Sequence, residues 1–248
     1  MIDLVVATFN IRNGRALDGR NSWPFRRAAT VDTIRQLDAD VLGLQEVHGF
    51  QLRLLRRRLP DFCLVGEGRS ARGRNERCPL VVRRAILDVV EWRTRWYGEE
   101  RGGRLAGATF PRIATVARLR HRSTGVELDV VNTHLDEHSP ENRERSAAEL
   151  TSWLSAARPT VVVGDFNSAE DDVPLAILRE SGLLPVLATG APGTSHGFSG
   201  RVDGPRIDHI LVSGHWQAGH AEVMTSSAAR LSSDHWPVVA TLRIRCAG

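Results

Sequence analysis

The 248-residue chain contains no lysine: all 33 of its basic residues are arginine, set against 29 acidic residues for a net charge of +4. A balance this close to neutral, spread along the whole length, gives little support to a polyelectrolyte-binding protein. The planar, permanently charged guanidinium does suit phosphate recognition, so nucleic acid stays one candidate partner among several. Cysteine is scarce. Cys63, Cys78 and Cys246 form neither an even disulfide framework nor a Cys-x-x-Cys pair, which argues against a disulfide scaffold and a zinc site and for free thiols in a reducing compartment. No run approaches 18 uninterrupted apolar residues, so a membrane span is not expected. The N-terminus passes directly into the strand-like Ile2-Asp3-Leu4-Val5-Val6 without a basic segment and cleavage site, and a cytoplasmic location is expected. Internal repeats, low-complexity tracts and long linkers are also absent. With 42% hydrophobic and 25% charged residues, the composition is that of an ordinary globular protein, read as one domain over residues 1–248.

Short apolar runs alternate with helix-period segments. Leu4–Asn10, Val41–Glu46, Leu80–Arg83 and Thr160–Gly164 read as strands, as do segments near Ile207–Val212, Ala221–Met224 and Pro237–Ile244. Arg112–His121 and Val126–Leu135 read as a hairpin turning at Ser123-Thr124-Gly125. Helices are expected after Ser22, with Ala28, Val31, Ile34 and Leu37 on one face, and over Phe50–Leu59, with Arg53, Arg56, Arg57 and Arg58 turned to solvent. Ser139-Pro140-Glu141 opens a third helix with Ala147, Leu150 and Leu154 inward, and Asp172–Glu180 forms a short one stopped by Gly182. Hairpins mixed with crossovers favour an α/β fold of two packed mixed sheets flanked by helices.

The strands share an unusual property: they end in polar groups. Asn10, Glu46 and His134 follow three of them, Asp165 and Asn167 follow a fourth, Asp208 sits within Arg206–Val212, and Asp234-His235 opens the last. Taken singly, each has a plain explanation as a turn former, a cap or a loop tip. Together they are hard oxygen donors and imidazoles gathered where strand ends converge on one crevice, the chemistry of a metal-phosphate site.

In order and combination, Thr8-Phe9-Asn10-Ile11-Arg12, Leu44-Gln45-Glu46-Val47, Asn132-Thr133-His134-Leu135, Gly164-Asp165-Phe166-Asn167, Arg206-Ile207-Asp208-His209-Ile210 and Ser233-Asp234-His235-Trp236-Pro237 resemble the endonuclease/exonuclease/phosphatase superfamily. The resemblance runs from Thr8 to Val239 and implies a four-layer α/β sandwich. It implies Mg²⁺, with Mn²⁺ as a substitute, held chiefly by Glu46 with Asn10 and Asp234. By the same resemblance Asp165 orients and deprotonates water, Asn167 and His134 donate to phosphoryl oxygens, His235 stabilises the transition state and Asp208 holds the His235 ring. Members acting on abasic DNA carry tyrosine at the His134 position, which disfavours that repair role. Glu76 falls where the deoxyribonuclease branch has a second glutamate supporting the histidine, with a solvated loop acid as the alternative.

Further substrate contacts are expected from Arg112 first, then Arg12, Arg72 and Arg74, although an ordinary surface arginine is solvated. His196 is a candidate in the loop before Asp208; an exposed, mobile ring is the competing reading. Trp92, Trp96 and Tyr97, beside a glycine-rich loop, are candidates for base stacking. The expected activity is hydrolysis of a small or medium phosphate mono- or diester. A nuclease would need Arg53–Arg58 and Arg69–Arg77 as a basic track on the site face. A non-catalytic binding protein would lack metal or nucleophile-orienting residues, and all are present; a lipid phosphodiesterase would need an apolar anchor, and none is evident. The expected partner is a phosphorylated small molecule or nucleic acid, with no membrane and no obligate protein partner.

Overall fold

The alternation of apolar residues along each strand decides which layer it faces. The computed structural model describes residues 2–98 and 100–244, so Cys246 lies outside the described residues. Its elements in order are β1 (Ile2–Asn10), α1 (Trp23–Gln36), β2 (Val41–Gln45), α2 (Gly49–Arg58), β3 (Phe62–Val65), β4 (Leu80–Arg83), β5 (Leu87–Trp96), β6 (Ile113–His121) and β7 (Glu127–His134). Then follow α3 (Pro140–Thr151), β8 (Thr160–Asp165), α4 (Val173–Glu180), β9 (Leu183–Pro185), β10 (Asp208–Ser213), β11 (Gln217–Val223), α5 (Ser227–Ser232) and β12 (Val238–Ile244). They build two six-stranded sheets in the orders β11-β12-β1-β2-β4-β3 and β5-β6-β7-β8-β10-β9. Within each sheet one pair is parallel, β1 with β2 and β7 with β8, and the other pairs are antiparallel.

Leu4, Val6, Val41, Leu80 and Val82 of the first sheet meet Leu119, Leu128, Val130, Val161, Val163 and Ile210 of the second in a shared apolar layer. The opposite faces take the helices: Ala7, Phe9, Leu42 and Leu44 pack on Val31, Ile34, Leu52 and Leu55, while Ala114, Val131, Val162 and Leu211 pack on Ala147, Leu150, Leu175 and Leu178. Burying each of these Leu, Ile, Val and Phe side chains contributes about 1.5–3 kcal/mol. Helix, sheet, sheet and helix make the four-layer sandwich expected from the sequence.

Beneath the site the two sheets also share a polar clasp. The Gln45 amide donates to Thr8 Oγ1 (3.0 Å) and Asn132 Oδ1 (2.7 Å), and the Asn132 amide donates to the carbonyls of Leu44 and Pro79 at 2.8 Å. Gly43 lets the layers approach here: a Cβ on it would lie 2.4 Å from Val163 Cγ2 and 2.7 Å from Asn132 Oδ1.

Several elements depart from the sequence expectation. Ala28 is exposed, and the inward face of α1 instead carries Trp23, Arg26, Thr30, Val31, Thr33 and Ile34. Its first turns dock on backbone carbonyls, a polar contact that a hydrophobic period does not register. Leu154 lies beyond the end of α3 but still packs on its cluster. Trp92, Trp96 and Tyr97 were placed beside a loop; Trp92 and Trp96 belong to β5, paired with β6 through Trp96 and Ile113. Trp96 (8% exposed) and Tyr97 (0%) are core residues, which removes them as base-stacking platforms.

Candidate active site

The two parallel pairs end side by side, and that is what gathers the polar strand ends. Asn10 is in register with Gln45 at the C-terminal ends of β1 and β2, and His134 with Asp165 at those of β7 and β8. Asp208 opens β10 directly opposite Asp165, one residue later than the strand start read from the sequence. Of the six described non-glycine residues with positive φ, three fall at these ends: Arg12 (57°), Glu46 (62°) and Asn167 (47°). Such conformations cost about 1–3 kcal/mol and persist where surrounding bonds fix them. Those bonds are present, because Arg12 N donates to Asn10 Oδ1 (2.9 Å), Val47 N to the Arg77 carbonyl (3.2 Å) and Asn167 N to Asp165 Oδ1 (3.0 Å).

Asp165 is the hub, 2% exposed. Its Oδ2 accepts from Asn10 Nδ2 at 2.9 Å, and His134 Nε2 (3.7 Å) and His235 Nδ1 (4.0 Å) stand around the same oxygen. Asn10 Nδ2 also reaches Glu46 Oε1 (2.9 Å), so one amide joins the two carboxylates. His235 Nδ1 faces Asp208 Oδ2 at 2.8 Å; since a carboxylate only accepts, the ring donates there, which fixes its tautomer and orientation. Asp208 is positioned in turn by Thr194, whose Oγ1 accepts from the backbone of Ile207 (3.0 Å) and Asp208 (3.1 Å).

Burial sets the proton affinities. Asp165 is pushed up to about 7, first by burial and then by the neighbouring Asp208 carboxylate, with His235 and the Asn10 hydrogen bond opposing. His134 is held well below the usual imidazole value by burial, then by the positive charge of Arg112. For His235, burial disfavours the charged ring, but the attraction and hydrogen bond of Asp208, with Asp165 and Asp234 adding to them, outweigh it and raise its proton affinity well above the usual value. One imidazole is thus neutral and the other charged at neutral pH, a few ångströms from the same carboxylate.

A cleft of about 240 Å³ opens beside Glu46 and His134, lined further by Arg12, Asn13, Ala16, Arg69, Glu76, Phe110, Arg112 and Glu137; Asp165, Asp208 and His235 lie behind His134 and do not line it. The expected substrate residues divide here. Arg112 (7% exposed) lines the cleft, and its ion pair with Glu137 is 3.6 Å long. Arg12 also lines it, but its guanidinium is bound to Asp18 through Nε (3.2 Å) and Nη2 (3.1 Å) and stands 3.4 Å from Asp234. Glu76 bonds to Asn13 Nδ2 (2.8 Å) and Arg69 (2.8 Å); these, not His134, are its hydrogen-bond partners, and burial raises its proton affinity. Arg72 and Arg74 are exposed and do not line the cleft. His196 is buried: at 6% exposure it stacks on Trp236 (4.2 Å between centroids), accepts from Gly200 N (3.2 Å) and is absent from the cleft wall. Asn167 directs its amide to the Leu135 carbonyl (3.1 Å).

Sequence reasoning missed several participants. Asn13, whose backbone donates to Glu46 Oε2 (2.6 Å), lies one residue beyond a recognised motif. Arg69, stacked on Phe110 at 4.3 Å, was visible only as part of an arginine-rich loop. Buried Arg26 donates to the carbonyls of Asn21 (2.9 Å), Ile11 (2.6 Å), Ser232 (3.0 Å) and Arg12 (2.9 Å), and no pattern in the sequence marks it.

The ligand atoms of Asp165, Asp208 and His235 lie within 4.8 Å of one another, close enough to hold a cation. Asp208 Oδ1 is a buried carboxylate oxygen without a hydrogen-bond partner. The set expected from the sequence is engaged within the protein: Glu46 Oε1 accepts from Asn10 Nδ2 and Oε2 from Asn13 N, Asn10 Oδ1 accepts from Arg12 N, and Asp234 Oδ2 pairs with Arg12, so these hard oxygens would exchange those partners for a cation such as Mg²⁺.

The endonuclease/exonuclease/phosphatase family pattern matches residues 7–235. Compared by sequence with curated proteins, the chain matches none. Among solved structures, an endonuclease/exonuclease/phosphatase from Bacteroides vulgatus is 30% identical, with a TM-score of 0.91 over 99% of this chain and 100% of that one. A mannosyl-6-phosphatase from Bacteroides thetaiotaomicron is 25% identical, with a TM-score of 0.89 over 97% and 100%. At 15% identity, TDP2 of D. rerio in complex with a single-strand DNA product shares the fold, with a TM-score of 0.77 over 97% and 99%. The matched pattern, the two-sheet sandwich and the strand-end site agree: the chain belongs to the endonuclease/exonuclease/phosphatase family, with the fold of a phosphoesterase.

Proposed function

We propose that this protein is a Mg²⁺-dependent hydrolase of small phosphoesters. The observation that carries the reading is the gathering at Asp165 of a joined pair of carboxylates and of one neutral and one charged imidazole, with a small arginine-lined cleft beside Glu46 and His134. The overall reaction adds water across the ester: R–O–PO₃²⁻ + H₂O → R–OH + HPO₄²⁻, and correspondingly for a diester.

Asp165 orients the attacking water and takes its proton as oxygen bonds to phosphorus. A raised proton affinity makes it a stronger base than an exposed aspartate. His134, neutral, and Asn167 donate hydrogen bonds to the non-bridging oxygens. His235, kept protonated and aligned by Asp208, stabilises negative charge in the transition state, the largest single contribution in reactions of this kind. Glu46 and Asp234, with Asn10 once its amide turns its oxygen inward, would hold the cation in preference to the Asp165–Asp208–His235 cluster: they offer oxygens, while His235 Nδ1 is committed to Asp208. Bound there, Mg²⁺ or Mn²⁺ supplies charge neutralisation at the phosphoryl oxygens.

The cleft supports a small substrate. At about 240 Å³ it is smaller than the roughly 300–1,000 Å³ of drug-sized sites, and the mannosyl-6-phosphatase from B. thetaiotaomicron has a similar fold over nearly the whole chain. A nucleic-acid track receives no support from Arg53, Arg56, Arg57 and Arg58, which lie on α2 and do not line the cleft. No helix among the described residues is long and apolar enough to cross a membrane. We place the enzyme in the cytoplasm, in keeping with free Cys63 and Cys78, acting on a phosphorylated small molecule without an obligate protein partner.

The test is a panel of sugar phosphates, a chromogenic monoester and diester, supercoiled plasmid and short RNA, with Mg²⁺ or chelator. Turnover of a small ester with Mg²⁺, abolished by chelator and reduced at least about 10³-fold in Asp165→Asn, is expected. Chelator-resistant turnover, or full activity in the variant, contradicts the reading.

A further inference from the structure

Of the three arginines lining this cleft, Arg112 is the least fully paired. Arg12 is taken by Asp18 and Asp234, and Arg69 by Glu76, through Nη1 (2.8 Å) and Nη2 (3.2 Å). Arg112 is 7% exposed, its Nε is buried without a hydrogen-bond partner, and its ion pair is a 3.6 Å contact with Glu137, itself 47% exposed. A buried, under-paired guanidinium is costly to keep unless a ligand completes it. Its place is fixed. Arg112 immediately precedes β6, whose first residue, Ile113, is in register with His134, and the Arg112 carbonyl accepts from Tyr97 N at 3.1 Å. The cleft wall therefore sets this guanidinium beside His134 and Glu46.

Resting on the hydrolase reading above, we propose that Arg112 selects the substrate class: it binds the doubly charged terminal phosphoryl group of a monoester and sets monoesters above diesters. A terminal phosphoryl group offers three non-bridging oxygens sharing two negative charges, whereas a diester offers two sharing one. The guanidinium fork can take two oxygens at once, so its attraction is largest where both charges and the third oxygen are present. Glu137 is the competing anion that Arg112 holds loosely while the cleft is without substrate. Its displacement by the phosphoryl group exchanges a long, solvent-screened contact for a short, buried one.

The experiment compares wild type, Arg112→Gln, Arg112→Lys and Glu137→Gln in the presence of Mg²⁺. It measures kcat/KM on a monoester and a diester of the same alcohol, and the affinity for inorganic phosphate and dimethyl phosphate by calorimetry. Circular dichroism and thermal unfolding establish that each variant is folded. Loss of one charge-assisted bidentate contact corresponds to about 10- to 100-fold. Arg112→Gln is expected to lose that factor on the monoester and on phosphate affinity while changing the diester and dimethyl phosphate several-fold less. Arg112→Lys, which keeps charge but not the fork, should fall between. Glu137→Gln, altering an exposed side chain, should tighten phosphate a few-fold. Equal losses on monoester and diester, unchanged phosphate affinity in Arg112→Gln, or a wild-type preference for the diester would each overturn the inference while leaving the hydrolase intact. Absence of turnover on every ester counts against the hydrolase reading, and phosphate affinity still decides the role of Arg112.

Discussion

At the scale of the residue, the site is a problem of arranging protons. Asp165 must be ionised to accept a proton from water, and burial beside Asp208 raises its affinity to about 7. His235 must keep its proton, and its affinity stands well above the ordinary imidazole value. The signs differ in their consequence. Activity rises with pH as Asp165 loses its proton and falls as the Asp208–His235 pair loses its own. The kcat/KM profile is therefore expected to be bell-shaped, with its acid limb set by Asp165 and its alkaline limb by the Asp208–His235 pair. Bound cation adds positive charge near Asp165 and moves the acid limb downward. In Asp208→Asn the support for the charged ring is gone, so the alkaline limb should move to lower pH by about one unit or more. A profile with no alkaline limb, or one unchanged in Asp208→Asn, would show that His235 does not act as a charged donor.

At the scale of the element, the site depends on how strand ends are tied to the helix beside them. Arg26 of α1 holds the carbonyls of Ile11 and Arg12 after β1 and of Ser232 before Ser233-Asp234-His235, while Ser233 Oγ donates to the Asn10 carbonyl (2.6 Å). Burial, opposed by Asp234, Asp18 and Glu46, lowers the proton affinity of Arg26 to about 10, so it remains charged at neutral pH. Arg26→Met leaves several buried carbonyls short of a donor and is expected to cost about 3 kcal/mol or more of stability, at about 1–3 kcal/mol for each unsatisfied group. Arg26→Lys keeps charge but gathers its donors at one point, too compact to span four carbonyls. It should fold, lose kcat more than KM, and bring down the alkaline limb of the pH profile as the His235 loop loosens. Urea unfolding and the pH profile check the two variants, and wild-type values for Arg26→Met would remove this role.

The same element explains what the sequence could and could not reveal. The strand-end residues were legible because parallel pairing places chain-distant ends together, and because Asn10, Glu46, His134, Asp165, Asp208 and Asp234-His235 recur in fixed order. Arg26 was not legible, since a guanidinium pointing inward to satisfy carbonyls leaves the same letter as one in water. The edge strand β5 was legible, since Val90, Trp92, Thr94 and Trp96 alternate with Glu91, Arg93 and Arg95, but the alternation does not mark a buried face: Val90, Glu91, Trp92 and Arg93 are all exposed. His196 was misread as a surface ring because its partner, Trp236, is 40 positions away in the chain.

At the scale of the whole molecule, two half-sandwiches, each with a parallel strand pair and its helices, press their sheets together so that one contributes Asn10 and Glu46 and the other His134, Asp165 and Asp208. Neither half has a complete site, and the Gln45–Asn132 clasp and close packing at Gly43 keep them in register just beneath it. This layout was readable as a fold class from hairpins mixed with crossovers, and Arg112 was readable as a cleft residue; its neighbours Arg69, Phe110 and Glu137 were not, because they come from loops without a repeating pattern. The central claim is that the assembled site directs water at phosphorus. Hydrolysis of a small monoester in ¹⁸O-water with Mg²⁺, followed by ³¹P NMR of the released phosphate, tests it most directly. One solvent oxygen in each phosphate and none in the alcohol is the predicted result; label in the alcohol, or phosphate released without label, would contradict it.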